Sequence, residues 1–110
     1  MGAVGKEWSP RNVFDVFGDE RARRILTLAS ERPRSAEALA ERLEVSQPTV
    51  YRRLDVLEDH DLLRQDRRVD DDGHHHKVFE TTLESARFDI EDGEFVIDLT
   101  LTRDPMEPVE

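Results

Sequence analysis

SAEALAERLEVSQPTVYRRLDVL, residues 35–57, holds two helical patterns that are separated by a short corner. Apolar residues recur three or four positions apart in each pattern, which is the spacing of one face of an α-helix. Ser35 and Ser46 can cap the two helices, and Pro48 falls in a first helical turn, where its missing N–H costs no hydrogen bond. The residues predicted to face inward are Ala36, Leu39, Ala40 and Leu43 in the first pattern and Val50, Leu54 and Leu57 in the second.

Two helices joined at such a corner form a helix-turn-helix, in which the second helix enters the major groove of DNA. We therefore predict a recognition helix over residues 46–60. Beyond Asp61 the apolar spacing changes to two, so residues 62–69 and 77–83 are predicted to be the strands of a β-hairpin. A hairpin directly after a helix-turn-helix is a wing, which here would span residues 62–83.

Two more helices are predicted before residue 35. Ser9-Pro10 marks the start of a short helix, with serine as the cap and proline at the first helical position, and this helix ends at Gly18. Asp19 caps a second helix that runs to about Glu31. Both helices carry enough apolar residues to pack on the helix-turn-helix.

A second hairpin is predicted after the wing. Asp92-Gly93 is a strong two-residue turn signal, and alternating apolar residues flank it over 86–91 and 94–102. The predicted fold class is therefore α+β: a winged helix-turn-helix of three to four helices and a β-wing, with an additional C-terminal β-hairpin. We expect three parts, which are a winged helix-turn-helix DNA-binding domain over residues 1–85, the hairpin over 86–102, and an acidic flexible tail over 103–110.

The charge of the chain is strongly acidic and unevenly distributed. There are 26 acidic and 16 basic residues, and residues 69–110 hold the whole net charge of −10, since residues 1–68 are balanced. An acidic surface with arginine in place of lysine resembles that of proteins from salt-loving archaea, where the charge is an adaptation to the solvent. Two interpretations of the excess stay open, namely this halophilic adaptation and an acidic surface for a basic partner.

Other features of the composition exclude several classes of protein. Cysteine is absent, which rules out disulfides, thiol catalysis and thiolate metal sites. No apolar run reaches roughly 18 residues, the length of a membrane span, and the N-terminus lacks the apolar core of a secretory signal, so we expect a cytoplasmic protein. The sequence has no glycine-rich phosphate loop and no nucleophile motif, so we predict no enzymatic activity and no cofactor.

Residues 12–83 resemble winged helix-turn-helix transcription regulators of the broad ArsR-like class that is common in archaea. The resemblance rests on FGDERARRIL (residues 17–26) and on SAEALAERLEVSQPTVYRRLDVLEDHDLL (residues 35–63). It implies a DNA-binding regulator whose wing lies on the DNA backbone or in the minor groove. The positions that match the family pattern are Ser46, Thr49, Val50, Leu54 and Leu57.

The chain departs from this family at three points. Asp61 stands where the family usually has glycine, at a left-handed corner that aspartate tolerates better than most residues. The cysteine-based metal sensor of the arsenic-type members is missing. The second hairpin replaces the C-terminal dimerisation helix that such regulators often have, so the surface that would form a dimer is left open.

The recognition-helix side chains that face away from the apolar positions are the predicted DNA contacts, although the same pattern is compatible with an ordinary solvated surface. Gln47 can pair with adenine, and Arg52 or Arg53 can pair with guanine or contact phosphate. Arginines of the wing suit phosphate or a narrow minor groove, but the acidic residues 70–72 beside them repel DNA. The full set of predicted DNA contacts is Ser46, Gln47, Pro48, Thr49, Tyr51, Arg52 and Arg53 in the helix and Arg67, Arg68, His74 and Lys77 in the wing.

The run His74-His75-His76 raises the question of metal binding, because imidazole suits zinc, nickel and copper. Neighbouring residues of a strand point to opposite faces, so only His74 and His76 can share a side. These two need a further ligand, either Asp72 or a residue of a second chain. We therefore predict a polar loop without a metal, with His74 and His76 as the two candidate ligands. A pH response is a further hypothesis, because histidine titrates near neutrality.

Two functions are compatible with these patterns. The first is a sequence-specific, double-stranded DNA-binding transcription regulator that acts as a homodimer, with two recognition helices about 34 Å apart. The alternative is a winged-helix protein-interaction module that uses its acidic C-terminal hairpin and does not bind DNA. Neither hypothesis includes a small-molecule effector, since the sequence indicates none.

A dimer would need an apolar surface, and the sequence offers two. One is the short first helix and the other is the last strand, and the two could instead cover each other within one chain. The residues predicted for the dimer interface are Val13, Phe14 and Phe17 in the helix and Phe95, Ile97, Leu99 and Leu101 in the strand.

Overall fold

Four helices precede four strands in residues 10–102, the part of the chain that the computed structural model describes. This order confirms the predicted α+β fold class with its additional C-terminal hairpin. The predicted cap Ser9 and the predicted tail over 103–110 lie outside the described residues. The helices are α1 (Pro10–Phe17), α2 (Glu20–Glu31), α3 (Ala36–Leu43) and α4 (Gln47–Asp59), and the strands are β1 (Leu63–Val69), β2 (His75–Thr81), β3 (Leu83–Glu91) and β4 (Glu94–Leu101).

Short polar residues fix the starts of three helices, as the sequence predicts. Asp19 Oδ1 accepts a hydrogen bond from the Arg21 N–H at 3.0 Å, and Ser35 Oγ accepts one from the Ala38 N–H at 3.1 Å. Ser46 caps α4 in the same way. Each bond satisfies one of the backbone donors that have no partner at the N-terminus of a helix.

Two non-glycine residues make the sharp corners around α4. Glu44 ends α3 with a φ of 59°, and Asp61 has the same φ of 59° before the wing, in agreement with the corner predicted there. A left-handed residue costs about 1 kcal/mol, and the backbone hydrogen bonds that follow offset this cost. The amides of Val45 and Leu62 donate back to carbonyls of α3 and α4 at 3.1 and 3.0 Å.

One apolar core lies between α2, α3, α4 and the base of the wing. The largest fully buried side chains include Ile25 from α2 and Phe79 from β2, so the wing contributes directly to the core. Among residues 10–102, no helix is long and apolar enough to cross a membrane. The inward-facing residues predicted from the sequence are all buried: Ala36, Leu39, Ala40, Leu43, Val50, Leu54 and Leu57.

Backbone pairing ties the wing to the helices. β1 and β2 are antiparallel, with Gln65 opposite Phe79, and Phe79 also pairs with Arg34 through N–H···O bonds of 3.0 and 2.7 Å. Arg34 is itself buried, and its Nε donates to the Leu28 carbonyl at 2.8 Å while Nη2 donates to Glu31 Oε1 at 2.7 Å. This arginine therefore joins the end of α2 to the wing, and its buried charge is paired.

The boundary between the two hairpins differs from the prediction. The sequence predicts strands over 77–83 and 86–91, whereas β2 ends at Thr81 and β3 begins at Leu83. The amides of Thr82 and Leu83 both donate to the Leu62 carbonyl, at 3.0 and 3.3 Å, and this turns the chain out of the wing into a separate sheet. Residues 80–85 contain no glycine, proline, asparagine or aspartate, so no strong turn signal marks this boundary in the sequence.

β3 and β4 form a second antiparallel sheet with one apolar face. The turn at Asp92-Gly93 has φ values of 52° and 81°, which suits the predicted two-residue hairpin turn. Phe88 lies opposite Ile97, and Ile90 lies opposite Phe95. Residues that lie directly opposite each other in a ladder share a face, so these four side chains form one apolar surface.

Helix α1 covers the middle of this apolar surface. The Phe14 ring stacks on Phe88 at a centroid distance of 5.2 Å and meets Phe95 edge-on at 5.6 Å, and Phe17 meets Phe88 at 6.2 Å. Of the two alternatives left open by the sequence, the structure therefore shows the helix and the strand in contact within one chain. The tip of the surface stays uncovered by the described residues, since Ile90 is 72% exposed.

Candidate nucleic-acid interface

The N-terminal half of α4 presents polar side chains to the solvent. Ser46 Oγ accepts a hydrogen bond from the Thr49 N–H at 3.3 Å, and the two hydroxyls lie 2.9 Å apart. Side chains of these types can hydrogen-bond to base edges and to phosphates. The predicted contacts that are exposed in α4 and at its cap are Ser46, Gln47, Pro48, Tyr51 and Arg52, whereas Thr49 and Arg53 are half-buried.

A groove of about 340 Å³ lies between the starts of α3 and α4 on one side and the wing on the other. It brings together four of the predicted DNA contacts, from two different elements of the fold. It also contains residues that were not predicted as DNA contacts, of which His75 is one and the acidic Glu37 another. The lining residues are Ser35, Ala36, Glu37, Gln47, Tyr51, Arg67, His75, His76 and Lys77.

One face of the wing is turned toward α4. The Tyr51 ring meets the ring of the buried Phe79 edge-on, at a centroid distance of 6.5 Å. Side chains two residues apart on a strand share a face, as do residues opposite each other in the ladder. Lys77, which lies opposite Arg67, is therefore on the same face as Phe79, and so is His75. The histidine run marked this segment in the sequence, but it did not show that His75 and His76 line the groove while His74 does not.

His74 lies at the tip of the wing and is not among the residues that line the groove. Asp70 Oδ1 accepts hydrogen bonds from the backbone N–H groups of His74 and Asp72, at 2.8 and 3.0 Å. The candidate ligand atoms of Asp70, Asp72 and His74 lie within 4.8 Å of one another, but all three residues are exposed. His76 is not a member of this cluster and lines the groove instead, so the predicted pair His74 and His76 does not share one site. Local turn hydrogen bonds account for the cluster, and we infer no metal site from it.

A family model described as a helix-turn-helix domain matches residues 17–66, from the end of α1 to the middle of β1. Residues 17–66 are thus similar to helix-turn-helix domains. No curated protein sequence matches the chain. The match supports the predicted resemblance to DNA-binding helix-turn-helix regulators, while the ArsR-like class and the archaeal, halophilic character stay predictions. The second strand of the wing and the C-terminal hairpin lie outside the match.

Within the matched residues, Arg53 is held against the start of α2. Its Nε donates to Asp19 Oδ2 at 3.0 Å. Burial raises the pKa of the Asp19 carboxyl, but hydrogen bonds from Arg53 and from the Arg21 backbone N–H outweigh it, so this pKa lies below its usual value. A second groove, of about 270 Å³, runs beside the pair and is lined by Asp15, Val16, Asp19, Ala22, Arg52, Arg53 and Val56.

The wing arginines differ in how many acidic partners they have. Arg68 Nε lies 3.4 Å from Asp66 Oδ2, which partly neutralises its charge. The side chain of Arg67 makes no hydrogen bond or ion pair within residues 10–102. Arg67 is therefore the wing arginine of the predicted set whose guanidinium is best placed to receive a phosphate.

The second half of α4 is acidic where the first half is not. Burial raises the pKa of the Glu58 carboxyl, the negative charge of Asp55 raises it further, and the charge of Lys77 acts in the opposite direction. The negative charge of Glu58 therefore attracts Lys77, as a DNA phosphate would. The acidic half of α4 repels a DNA backbone, which leaves the N-terminal half as the part of the helix suited to DNA.

The residues predicted for a dimer interface fall into two groups. Val13 is buried within the chain at 1% exposure, and Phe17, Leu99 and Leu101 are partly buried against the core. Ile97 is half-buried. Phe14 and Phe95 are 39% and 56% exposed. The exposed members lie next to Phe88 and Ile90, and these four residues, Phe14, Phe88, Ile90 and Phe95, form what we call the hairpin patch.

Proposed function

We propose that this protein is a transcription regulator that binds specific double-stranded DNA sequences as a homodimer. The observation that carries the proposal is the groove in which the start of the recognition helix faces the wing. Gln47 of α4 borders this groove together with Arg67 and Lys77 of the wing. This combination suits a duplex, because a side-chain amide can read a base edge while the two cations bind phosphates on the same strand.

In the proposed complex, the N-terminal half of α4 enters the major groove and the wing lies on the backbone or in the minor groove. Gln47, Thr49 and Arg52 would then face the bases or the phosphates beside them. Arg68 and His74, also predicted as contacts, have acidic partners in Asp66 and Asp70, so we expect them to contribute less. The charge balance of residues 1–68 supports this mode, since the acidic excess lies in residues 69–110.

A homodimer is the second part of the proposal. Two recognition helices about 34 Å apart would read successive major grooves of a pseudo-palindromic site. The hairpin patch supports a dimer, because Ile90 and Phe95 are large apolar residues with 72% and 56% exposure. Self-association through such a patch would bury the same surface on both copies, as two-fold symmetry requires.

Binding selection from a random duplex library, followed by titration at several KCl concentrations, tests the DNA-binding part of the proposal. Gln47→Ala should relax the preference at one base pair, at a loss of about 1–3 kcal/mol in discrimination. Arg67→Gln should weaken binding to all sequences alike and lower the salt slope by about 0.9, because one phosphate contact is lost.

Arg87→Gln is the matched control for these variants. Arg87 is an exposed arginine of β3, and its Nε donates to Asp89 Oδ2 at 2.9 Å on the charged face of the C-terminal hairpin. Its replacement should leave both the affinity and the salt slope unchanged. Failure of the wild-type chain to bind any duplex, in a selection that works for a known DNA-binding protein, would contradict the proposal.

One observation favours the alternative, a protein-interaction module that does not bind DNA. The hairpin patch is apolar, and the opposite face of the same hairpin carries Asp89, Asp98 and the pair Glu91 and Glu94. A basic partner with an apolar anchor would suit such a hairpin. A chain that binds no duplex but retains a defined partner, and loses it on Ile90→Ser, would support this alternative over the regulator.

A further inference from the structure

Adjacent arginines of the recognition helix have different surroundings. Arg53 Nε donates to Asp19 Oδ2 at 3.0 Å, and the side chains of the pair are 27% and 32% exposed. The side chain of Arg52 is exposed and makes no hydrogen bond or ion pair among the described residues. The sequence predicts both residues as DNA contacts, whereas in the structure Arg53 is paired with Asp19 and Arg52 is not.

Asp19 uses both of its carboxylate oxygens. Oδ1 caps α2 by accepting the Arg21 N–H at 3.0 Å, and Oδ2 accepts from Arg53. The carboxylate also lies at the N-terminus of α2, where the helix dipole favours a negative charge. One side chain therefore connects the start of α2 to the second turn of α4, across 34 residues of sequence.

We propose that Asp19 and Arg53 form a lock that fixes the orientation of the recognition helix on α2, and that Arg52, not Arg53, carries a phosphate contact. The inference rests on the proposed DNA-binding function. A phosphate that approached Arg53 would meet the negative charge of Asp19 in the same ion pair, and drawing Arg53 away would leave a partly buried carboxylate without its partner. Neither of these two costs applies to a phosphate contact of Arg52. Arg53 is thus a positioning residue, because it acts on DNA only through the orientation of α4.

The salt dependence of DNA binding separates the two arginines. Arg52→Gln should lower the slope of log affinity against log salt by about 0.9, since one phosphate contact is lost. Arg53→Gln should leave that slope at the wild-type value but reduce the ratio of specific to non-specific affinity by about threefold to tenfold, because a misaligned helix reads bases less well. Arg53→Lys, which keeps the charge, should restore part of this ratio. A drop in slope for Arg53→Gln equal to that for Arg52→Gln would overturn the proposal.

Asp19→Asn tests the lock from its other end. Asparagine caps a helix about as well as aspartate, so this variant removes the ion pair and keeps the cap. The thermal midpoints of Asp19→Asn, Arg53→Gln and the double variant complete a mutant cycle, and the double variant should be no less stable than the less stable single one. Strictly additive losses would show that the two residues do not interact, which refutes the lock. This cycle needs no DNA, so it decides on the lock even where the wild-type chain binds no duplex and the proposed function fails.

Discussion

His74 and His75 are neighbours in the sequence but have different electrostatic surroundings. His74 lies with its Nδ1 3.7 Å from Asp70 Oδ2 at the wing tip, whereas His75 lines the groove with Arg67, Lys77 and Glu37. In the proposed complex, His75 is therefore placed to hydrogen-bond to DNA from the groove, whereas His74 lies outside it.

We therefore predict that His75→Ala weakens DNA binding by about twofold to tenfold, because one hydrogen bond from the groove to DNA is lost. His74→Ala is the matched control and should lose less affinity. Anisotropy titrations at constant pH and ionic strength provide the measurement, and an equal loss of affinity in both variants would contradict the role of His75.

At the scale of elements, α4 combines a polar first half with an acidic second half. The pKa of Glu58 is raised by burial and by Asp55, so the ionised carboxylate costs folding free energy. A carboxyl whose pKa is raised on folding destabilises the native state at pH values above that pKa, and the penalty disappears as the pH falls below the unfolded value. The same carboxylate attracts Lys77, which competes with a phosphate for that cation.

Glu58→Gln should therefore stabilise the protein and strengthen its binding to DNA at neutral pH. We expect the thermal midpoint to increase by roughly 1–3 °C at pH 7, with no increase at a pH below the pKa that Glu58 has in the unfolded chain. The affinity for a duplex should increase by about twofold to fivefold, because Lys77 becomes available to phosphate. Glu91→Gln, at the tip of the C-terminal hairpin, removes the same charge far from the helix and should change neither quantity. A lower thermal midpoint for Glu58→Gln would contradict the stated cause.

The elements were predictable to different degrees, for physical reasons. Helices α3 and α4 follow from local information, namely two serine caps and apolar residues at helical spacing, and all of their predicted inward residues are buried. The turn from β2 to β3 was not predictable, since it depends on hydrogen bonds from Thr82 and Leu83 to Leu62. Contacts between distant residues leave no periodic signal in one sequence. For the same reason, the buried Arg34 was not identified in advance.

The residues of the candidate site were also predictable to different degrees. The sequence identified Gln47, Tyr51, Arg67 and Lys77 from their types and elements, and the structure brings these four to one groove. It did not separate Arg52 from Arg53, because the partner of Arg53 lies 34 residues away. Whether any of these side chains contacts DNA stays a prediction, which the titrations at several salt concentrations can decide.

At the scale of the whole molecule, the apolar surface of the C-terminal region favours self-association, whereas the negative charge of this region disfavours it. Residues 69–110 carry a net charge of −10, and the hairpin patch lies within and beside this region. Two copies that meet through the patch bring these charges together, so their repulsion must be screened. The Debye length shortens from about 10 Å at 0.1 M salt to about 3 Å at 1 M, which removes most of this repulsion while the hydrophobic attraction persists.

Self-association should therefore be stronger in concentrated salt than in dilute salt and should depend on the patch. The double variant Ile90→Ser with Phe95→Ser removes the two most exposed members, at 72% and 56% exposure, and should weaken the dimer at least about tenfold in 1 M KCl. Val69→Ser is the control, since Val69 is a similarly exposed residue, at 59%, in the wing. Sedimentation equilibrium at micromolar concentration measures all three proteins. A wild-type chain that stays monomeric in both dilute and concentrated salt would refute the dimer, and an equal loss of association in Val69→Ser would show that the hairpin patch is not its interface.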